Sequence, residues 1–377
     1  MKRLVFASLL VAPLLSLTSP LAAAAASPQS INAQRALQWL QCTQQQPNGQ
    51  IGSGGNPIAR SAEVALGLAA AGQPASAMRR DGVSLADYLK TAVSTDVGTN
   101  GELLLARASQ IDAGPTTAVA AQLQLSKVNG EYGTDIYSDA LAILGLRAAD
   151  QLVAADAIKF LKDQQKSDGG WSFDNADQYG TDSNTTALVI QALLSDGVPA
   201  TDAAISNGVK YLQSVFGQGG FGNTPGAGPD ANSDELAIFS IMAAHLQNDS
   251  TWEPRLTQGE QYLAAQQIGT GSDAGAIANA FSKLFATTFA PSAFLLRPLT
   301  VTGISEASSP LLACPAAAVT TPAPTPRATP APTASSTPQA IPQLAQTGEP
   351  HSSNALLALL ALGFFLAASI VWRRRTT

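Results

Sequence analysis

From about residue 29 to residue 314 the chain alternates between two kinds of apolar segment. The first kind places apolar residues at helical spacing and keeps a polar side. In residues 157–165, extended to Lys166, that side carries Lys159, Lys162 and Asp163. The second kind, as in 182–194, is rich in Ala, Leu and Ile with almost no charge, the pattern of a helix buried nearly all round. A Gly-rich loop holding one aromatic or apolar residue separates the two. The clearest units are 157–165 with Asp168-Gly169-Gly170-Trp171-Ser172-Phe173 and 182–194, then 208–216 with Gly219-Gly220-Phe221-Gly222 and 230–246. Looser copies start at 33–44, with Asn48-Gly49-Gln50-Ile51-Gly52, and at 116–126, with Asn129-Gly130-Glu131-Tyr132-Gly133. The weakest pairs are 85–93 with 98–105, and 259–267 with 269–285. Six helix pairs follow, in which the polar-sided helices form an outer layer and the apolar ones an inner layer.

The two ends follow other patterns. Lys2 and Arg3 precede an apolar run, 4–17, and a small-residue stretch ending at Ala24-Ala25-Ala26, the arrangement of an export signal cleaved near Ser27. Residues 315–343 are rich in Pro, Thr and Ala, and such a composition favours an extended, disordered stalk. Residues 355–372 are continuously apolar or small and end in Arg373-Arg374-Arg375. That is long enough for one membrane-spanning helix with its basic end on the cytoplasmic side. Leu344-Ala345-Gln346-Thr347-Gly348 stands just before it. Pentapeptide, apolar span and basic tail together resemble the cell-wall sorting signal of Gram-positive surface proteins. Ala345 in place of the usual Pro resembles the variant read by class E sortases. The resemblance implies cleavage between Thr347 and Gly348, attachment of Thr347 to peptidoglycan, and a sortase as partner. Retention of the span as a plain membrane anchor is the alternative, and either way the body faces outward. The expected division is therefore 1–26 signal, 27–314 helical body, 315–343 linker and 344–377 sorting segment.

Composition sharpens this picture. Only 13% of residues are charged, about half the roughly 25% usual in soluble domains. Five of the 21 bases lie in the two end segments, so the formal charge of −6 understates how acidic the exported part is. After both cleavages 16 bases would face 26 acids, a balance of −10. An acidic body without a basic patch argues against nucleic-acid binding. Two histidines and two cysteines exclude a His-rich or four-cysteine metal module, so neither a metal nor a cofactor is expected.

Lys159-Phe160-Leu161, Gln164 or Gln165, and Gly169-Gly170-Trp171 resemble the QW-type repeat of squalene–hopene cyclases and protein prenyltransferases. The resemblance implies an all-α fold, an α6/α6 toroid with six inner helices ringed by six outer ones. Vitamin B12 carriers such as intrinsic factor share that architecture and are similarly extracellular. A closed toroid would bring the first and last repeats together, and so implies a disulfide between Cys42 and Cys314 in an exported chain.

The chemistry of the resembling enzymes is only partly matched. Class II cyclases carry a D-x-D-D acid motif, whereas the corresponding helix starts here read Asp182-Ser183-Asn184-Thr185 and Asp230-Ala231-Asn232-Ser233. Asp230, Asp234 and Glu235 form a small acidic cluster that could substitute. The zinc triad of prenyltransferases is missing, since His245 is the sole histidine of the body and no cysteine accompanies it in ligand-like spacing. A recurrent Asp at inner-helix starts, at positions 135, 182, 230 and 273, is expected to cap those helices. Because all inner helices run the same way, the starts and loops would ring one mouth. Tyr132, Asp135, Trp171, Phe173, Asp182, Phe221, Asp230, Asp234 and Glu235 are the candidate pocket residues, with packing between repeats the alternative role for the aromatics. The expected function is a surface-anchored, non-catalytic binder of a small molecule or partner. A terpenoid-cyclase or prenyltransferase-like enzyme and a purely structural wall protein are the alternatives.

Overall fold

The computed structural model describes residues 28–110, 112–176, 178–300 and 310–315. The export signal, residues 316–343 of the linker, and the sorting and membrane segments lie outside the described residues. Among the described residues no helix is long and apolar enough to cross a membrane.

Helices come in pairs, the outer partner first. They are α1 (Pro28–Trp39) with α2 (Pro57–Ala70), α3 (Leu85–Thr91) with α4 (Val97–Ser109), and α5 (Thr117–Ser126) with α6 (Ile136–Ala148). Then follow α7 (Ala155–Asp163) with α8 (Ser183–Ser195), and α9 (Ala203–Ser214) with α10 (Ala231–Ala243). The last pair is α11 (Glu253–Gln266) with two short helices, α12 (Lys283–Thr288) and α13 (Ala290–Phe294). Each inner helix packs on the next, α2 on α4, α4 on α6, α6 on α8 and α8 on α10, and α13 touches both α10 and α2 to close the ring. The result is an α/α toroid.

Small residues set how tightly the ring closes. A Cβ on Gly101 would lie 2.5 Å from the Leu141 backbone, and one on Gly145 would lie 2.6 Å from the Gly101 carbonyl. Glycine at these two positions lets α4 and α6 touch backbone to backbone. The core of Leu, Ile, Val and Ala side chains is continuous round the ring, from Leu37 to Phe294.

Two side-chain devices repeat with the helix pairs. One is a glutamine after the outer helix. Gln165 donates to Gly169 O of its own loop at 2.9 Å and to Ala204 O of the next outer helix at 2.7 Å. Gln267 does the same with Gly275 O at 3.0 Å and Asn32 O of α1 at 2.9 Å, so the device also joins last repeat to first. The other device ties the loop to the inner helix, where the side chain of its fourth or fifth residue accepts from the loop's anchor residue. Ser61 accepts from Ile51 N, Thr186 from Trp171 N and Thr287 from Ile277 N, each at 2.9 Å. Asp139 and Asp234 take this role for Tyr132 N at 2.6 Å and Phe221 N at 2.9 Å.

The sixth repeat departs from the sequence reading. Residues 269–282 form a loop, and the inner helix starts only at Lys283. Gly271 and Gly275 adopt φ of 83° and 97°, outside the range of a helix. Gly275 also sits so close to α1 that a Cβ would come within 2.2 Å of the Arg35 carbonyl oxygen. Asp273 accordingly caps nothing; it pairs with Lys283, and Ser282 caps α12. The outer helices α9 and α11 start earlier than their apolar pattern suggests, after the Asp202 cap and with Pro254 in the first turn. Cys42 is bonded to Cys314, with a Cα–Cα distance of 5.4 Å, fastening residues 310–315 against the first repeat.

Candidate functional site

The starts of the inner helices gather at one rim. Asn56, Asp96, Asp135, Asp182, Asp230 and Ser282 cap α2, α4, α6, α8, α10 and α12, each accepting from a backbone N–H of the first turn. For Asp135, Asp182 and Asp230 those bonds measure 2.7, 2.8 and 3.0 Å. Neighbouring rims are stitched together. Asn56 Nδ2 donates to Thr99 Oγ1 at 2.6 Å, Ile136 N to Phe173 O at 3.0 Å, and Ser183 N to Asn223 O at 2.8 Å.

The candidate residues separate into two groups. Asp135, Phe173, Asp182 and Asp230 keep solvent contact at the rim. Tyr132, Trp171 and Phe221 do not line it. Their side chains are buried between repeats, where Trp171 Nε1 donates to Leu161 O at 2.6 Å and Phe221 stacks on Trp252 at 6.5 Å. Asp234 and Glu235 are likewise fully buried. Asp234 serves its loop, and its carboxyl is pushed up to about 8 by burial against the pull of the Phe221 N–H.

The ring also gathers around Glu235 a set of acids and a base that the sequence did not single out. Arg60 and Glu63 come from α2, Glu102 from α4, Tyr137 from α6 and Glu235 from α10. Arg60 Nη2 pairs with Glu63 Oε1 at 2.6 Å, and its guanidinium lies 4.4 Å over the Phe285 ring. Burial pushes Glu63 up to about 7, against the opposing charge of Arg60. Burial first and the Glu63 charge second hold Glu102 well above the usual carboxylate range. Glu235 is raised by burial and then by Asp234, and neither of its oxygens has a hydrogen-bond partner. Tyr137 is raised by burial too, and its ring sits 5.9 Å from Phe173. Among the described residues no group of three or more His, Cys, Asp or Glu is arranged to hold a metal ion.

These buried acids set a pH dependence. In the unfolded chain they ionise near pH 4–4.5, whereas in the folded chain burial raises them all, Glu63 to about 7, Asp234 to about 8, and Glu102 and Glu235 well above the usual carboxylate range. The proton binding that favours the fold is therefore complete below the unfolded values and is lost as pH rises through the folded ones. Asp87, Asp156, Asp202 and Asp273 shift the opposite way, but they are exposed or only half-buried, and solvent screens them. The melting temperature should fall between pH 5 and pH 8.5. Glu235→Gln, which removes the least satisfied acid, should flatten that decline, as thermal unfolding at the two pH values would show.

Between the fifth and sixth repeats the rim opens into a cleft of about 550 Å³. Its wall is built by Asp230 and Asn232 at the start of α10, Tyr262 and Gln266 of α11, and Asn279, Phe281 and Phe285 around the start of α12. Tyr262 is fixed by its hydroxyl, which donates to Pro229 O at 2.8 Å. Asn279 is fixed by its carbonyl oxygen, which accepts from Phe281 N at 2.8 Å and Ser282 N at 3.1 Å. A volume of this size lies within the roughly 300–1,000 Å³ common for small-ligand sites.

No family model matches this chain, and no curated protein sequence matches it. Among solved structures, the chain is similar to the type II terpene cyclase MstE from Scytonema in complex with geranylgeranyl dihydroxybenzoate. That match has a TM-score of 0.53 and 13% identity over 71% of this chain and 97% of the cyclase. A second complex of that cyclase with the same substrate gives 0.52 and 14%, over 71% and 96%. The ent-copalyl diphosphate synthase from Streptomyces platensis gives 0.47 and 16%, over 65% of this chain. The chain spans about half of that synthase, 52% of its length. At such identities the likeness is one of fold, and this chain has the α/α toroid of the type II terpene cyclases.

Proposed function

We propose that this chain is exported, held at the cell surface through its C-terminal segment, and binds a small ligand at the rim of its toroid without transforming it. The cleft between the fifth and sixth repeats carries the reading. It is concave, it is rimmed by polar side chains fixed from behind, and one of them, Asn232, has an amide nitrogen without a partner. Surface attachment rests on the order of Leu344-Ala345-Gln346-Thr347-Gly348, the apolar run 355–372 and the arginines that follow it. A sortase and peptidoglycan are the partners this reading requires.

The second reading is a proton-initiated isoprenoid cyclase. It is favoured by the fold shared with type II terpene cyclases and by Glu63 and Glu102 on neighbouring helices, both raised above the usual carboxylate range by burial. A proton donor must reach its substrate, and against that Glu63 and Glu102 are only 0% and 5% exposed. The rim aspartates in turn spend their oxygens on capping. Incubating the full-length protein with geranylgeranyl diphosphate and analysing the extract by mass spectrometry separates the two. The binder reading expects the substrate to be recovered unchanged. A cyclised product that disappears in Glu102→Gln would establish the cyclase instead.

A further inference from the structure

The cleft's chemistry narrows the class of ligand. Among the described residues its only charged lining residue is Asp230, and both of that carboxylate's oxygens already accept from Ser233, one from the backbone N at 3.0 Å and the other from Oγ at 2.6 Å. Among the described residues no lysine or arginine lines it, and the nearby Arg60, behind Phe285, is already paired with Glu63, so the wall offers a phosphate, diphosphate or carboxylate no free counter-charge. Its other polar lining residues are Tyr262, whose hydroxyl is taken by Pro229 O, and the planar amides of Asn223, Asn232, Asn279 and Gln266, which both donate and accept.

Asn232 is the most telling of these. The residue is 8% exposed, and its Oδ1 faces Asn279 Nδ2 at 3.4 Å. Asn279 can offer only a donor at that point, because its own oxygen is held by two backbone N–H groups. That fixes the orientation of the Asn232 amide and leaves its Nδ2 as a buried donor with no partner among the described residues. Such a donor costs free energy unless something accepts from it. Beside these amides stands Phe281, 41% exposed, with Phe285 deeper in the wall. An exposed aromatic face carries partial negative charge and suits partly positive C–H groups.

Neutral amides for hydroxyl groups and ring faces for C–H groups are together the requirements of a sugar. We propose that the cleft between repeats five and six is a saccharide-binding site, with Asn232 donating to a sugar oxygen and Phe281 lying against a pyranose face. The proposal rests on the binder reading above and names its ligand class.

The test is calorimetric titration of the full-length protein with chitotetraose and with maltotetraose, alongside co-sedimentation with purified peptidoglycan. Saturable binding is expected, weakened about tenfold or more in Phe281→Ala and in Asn232→Ala. Phe281 is a surface side chain, so its variant should keep the parent melting temperature and report on binding alone. Binding to peptidoglycan only would place the sugar in a wall polymer, and binding to a tetrasaccharide only would make it a soluble ligand; both support the site. Absence of all saccharide binding, with a non-sugar molecule found on the protein by native mass spectrometry, would overturn the saccharide assignment and leave the binder reading standing. Absence of any ligand of either kind would overturn both.

Discussion

Replacing Cys42 and Cys314 together by serine should lower the unfolding free energy by about 5 kcal/mol, the chain-entropy value for so long a loop before any native-state strain. The bond spans 272 residues of sequence and is the covalent link between the first repeat and the segment that follows the last. Without it, closure relies on contacts of α13 with α1 and α2, the Gln267 bridge to Asn32, and the Gln38 side chain donating to Ala313 O. A typical domain has only about 5–15 kcal/mol in total, so the double variant should lie close to the limit of folding. Urea unfolding of the parent with and without reductant should reproduce most of the same difference. Equal midpoints in all three samples would show that the ring is closed by packing alone.

Trp171→Ala should cost about 3–5 kcal/mol, the usual range for truncating a large buried aromatic. Trp171 is completely buried and joins three helices. Its indole N–H reaches Leu161 O of α7, its backbone N–H reaches Thr186 of α8, and its ring packs where a Cβ on Gly208 of α9 would come within 2.9 Å. Truncation leaves both a cavity and an unpaired carbonyl. Trp171→Phe keeps most of the volume but loses the indole donor, so it should fall between the two. Denaturant midpoints with unchanged m-values would confirm the ranking. A cost below about 1 kcal/mol for Trp171→Ala would mean that the loop, not the ring, holds α7, α8 and α9 together.

The parts of the fold that the sequence announces are those set by short-range chemistry. Gly-Gly-Trp and Gly-Gly-Phe mark loops, and the Asp that opens 182–194 and 230–246 is an N-cap seen twice in the same frame. Alternating polar-sided and apolar helices separate the two layers before any coordinates. The sixth repeat is illegible for a matching reason. Its loop lacks the Gly-Gly-aromatic mark of the fourth and fifth, so the apolar positions after Gly269 mimic a helix whose start is delayed to Lys283. Arg60, Glu63 and Glu102 escape notice because single charges within Ala-rich helices carry no period. Only the curvature of the ring brings α2, α4 and α10 face to face. Asn232 and Asn279, 47 residues apart, meet for the same reason. Sequence leaves the loop aromatics Tyr132, Trp171 and Phe221 open between lining a mouth and packing between repeats, and they pack because each loop must bury an anchor against its inner helix.

The central claim, that the rim cleft holds a ligand, is tested most directly by native mass spectrometry of the full-length protein purified from the cells that make it, beside its Phe281→Ala and Asn232→Ala variants. A non-covalent mass adduct is expected on the parent and should be lost or sharply reduced in both variants. An adduct that persists unchanged in both would contradict it, since the ligand would then sit somewhere other than the cleft between the fifth and sixth repeats.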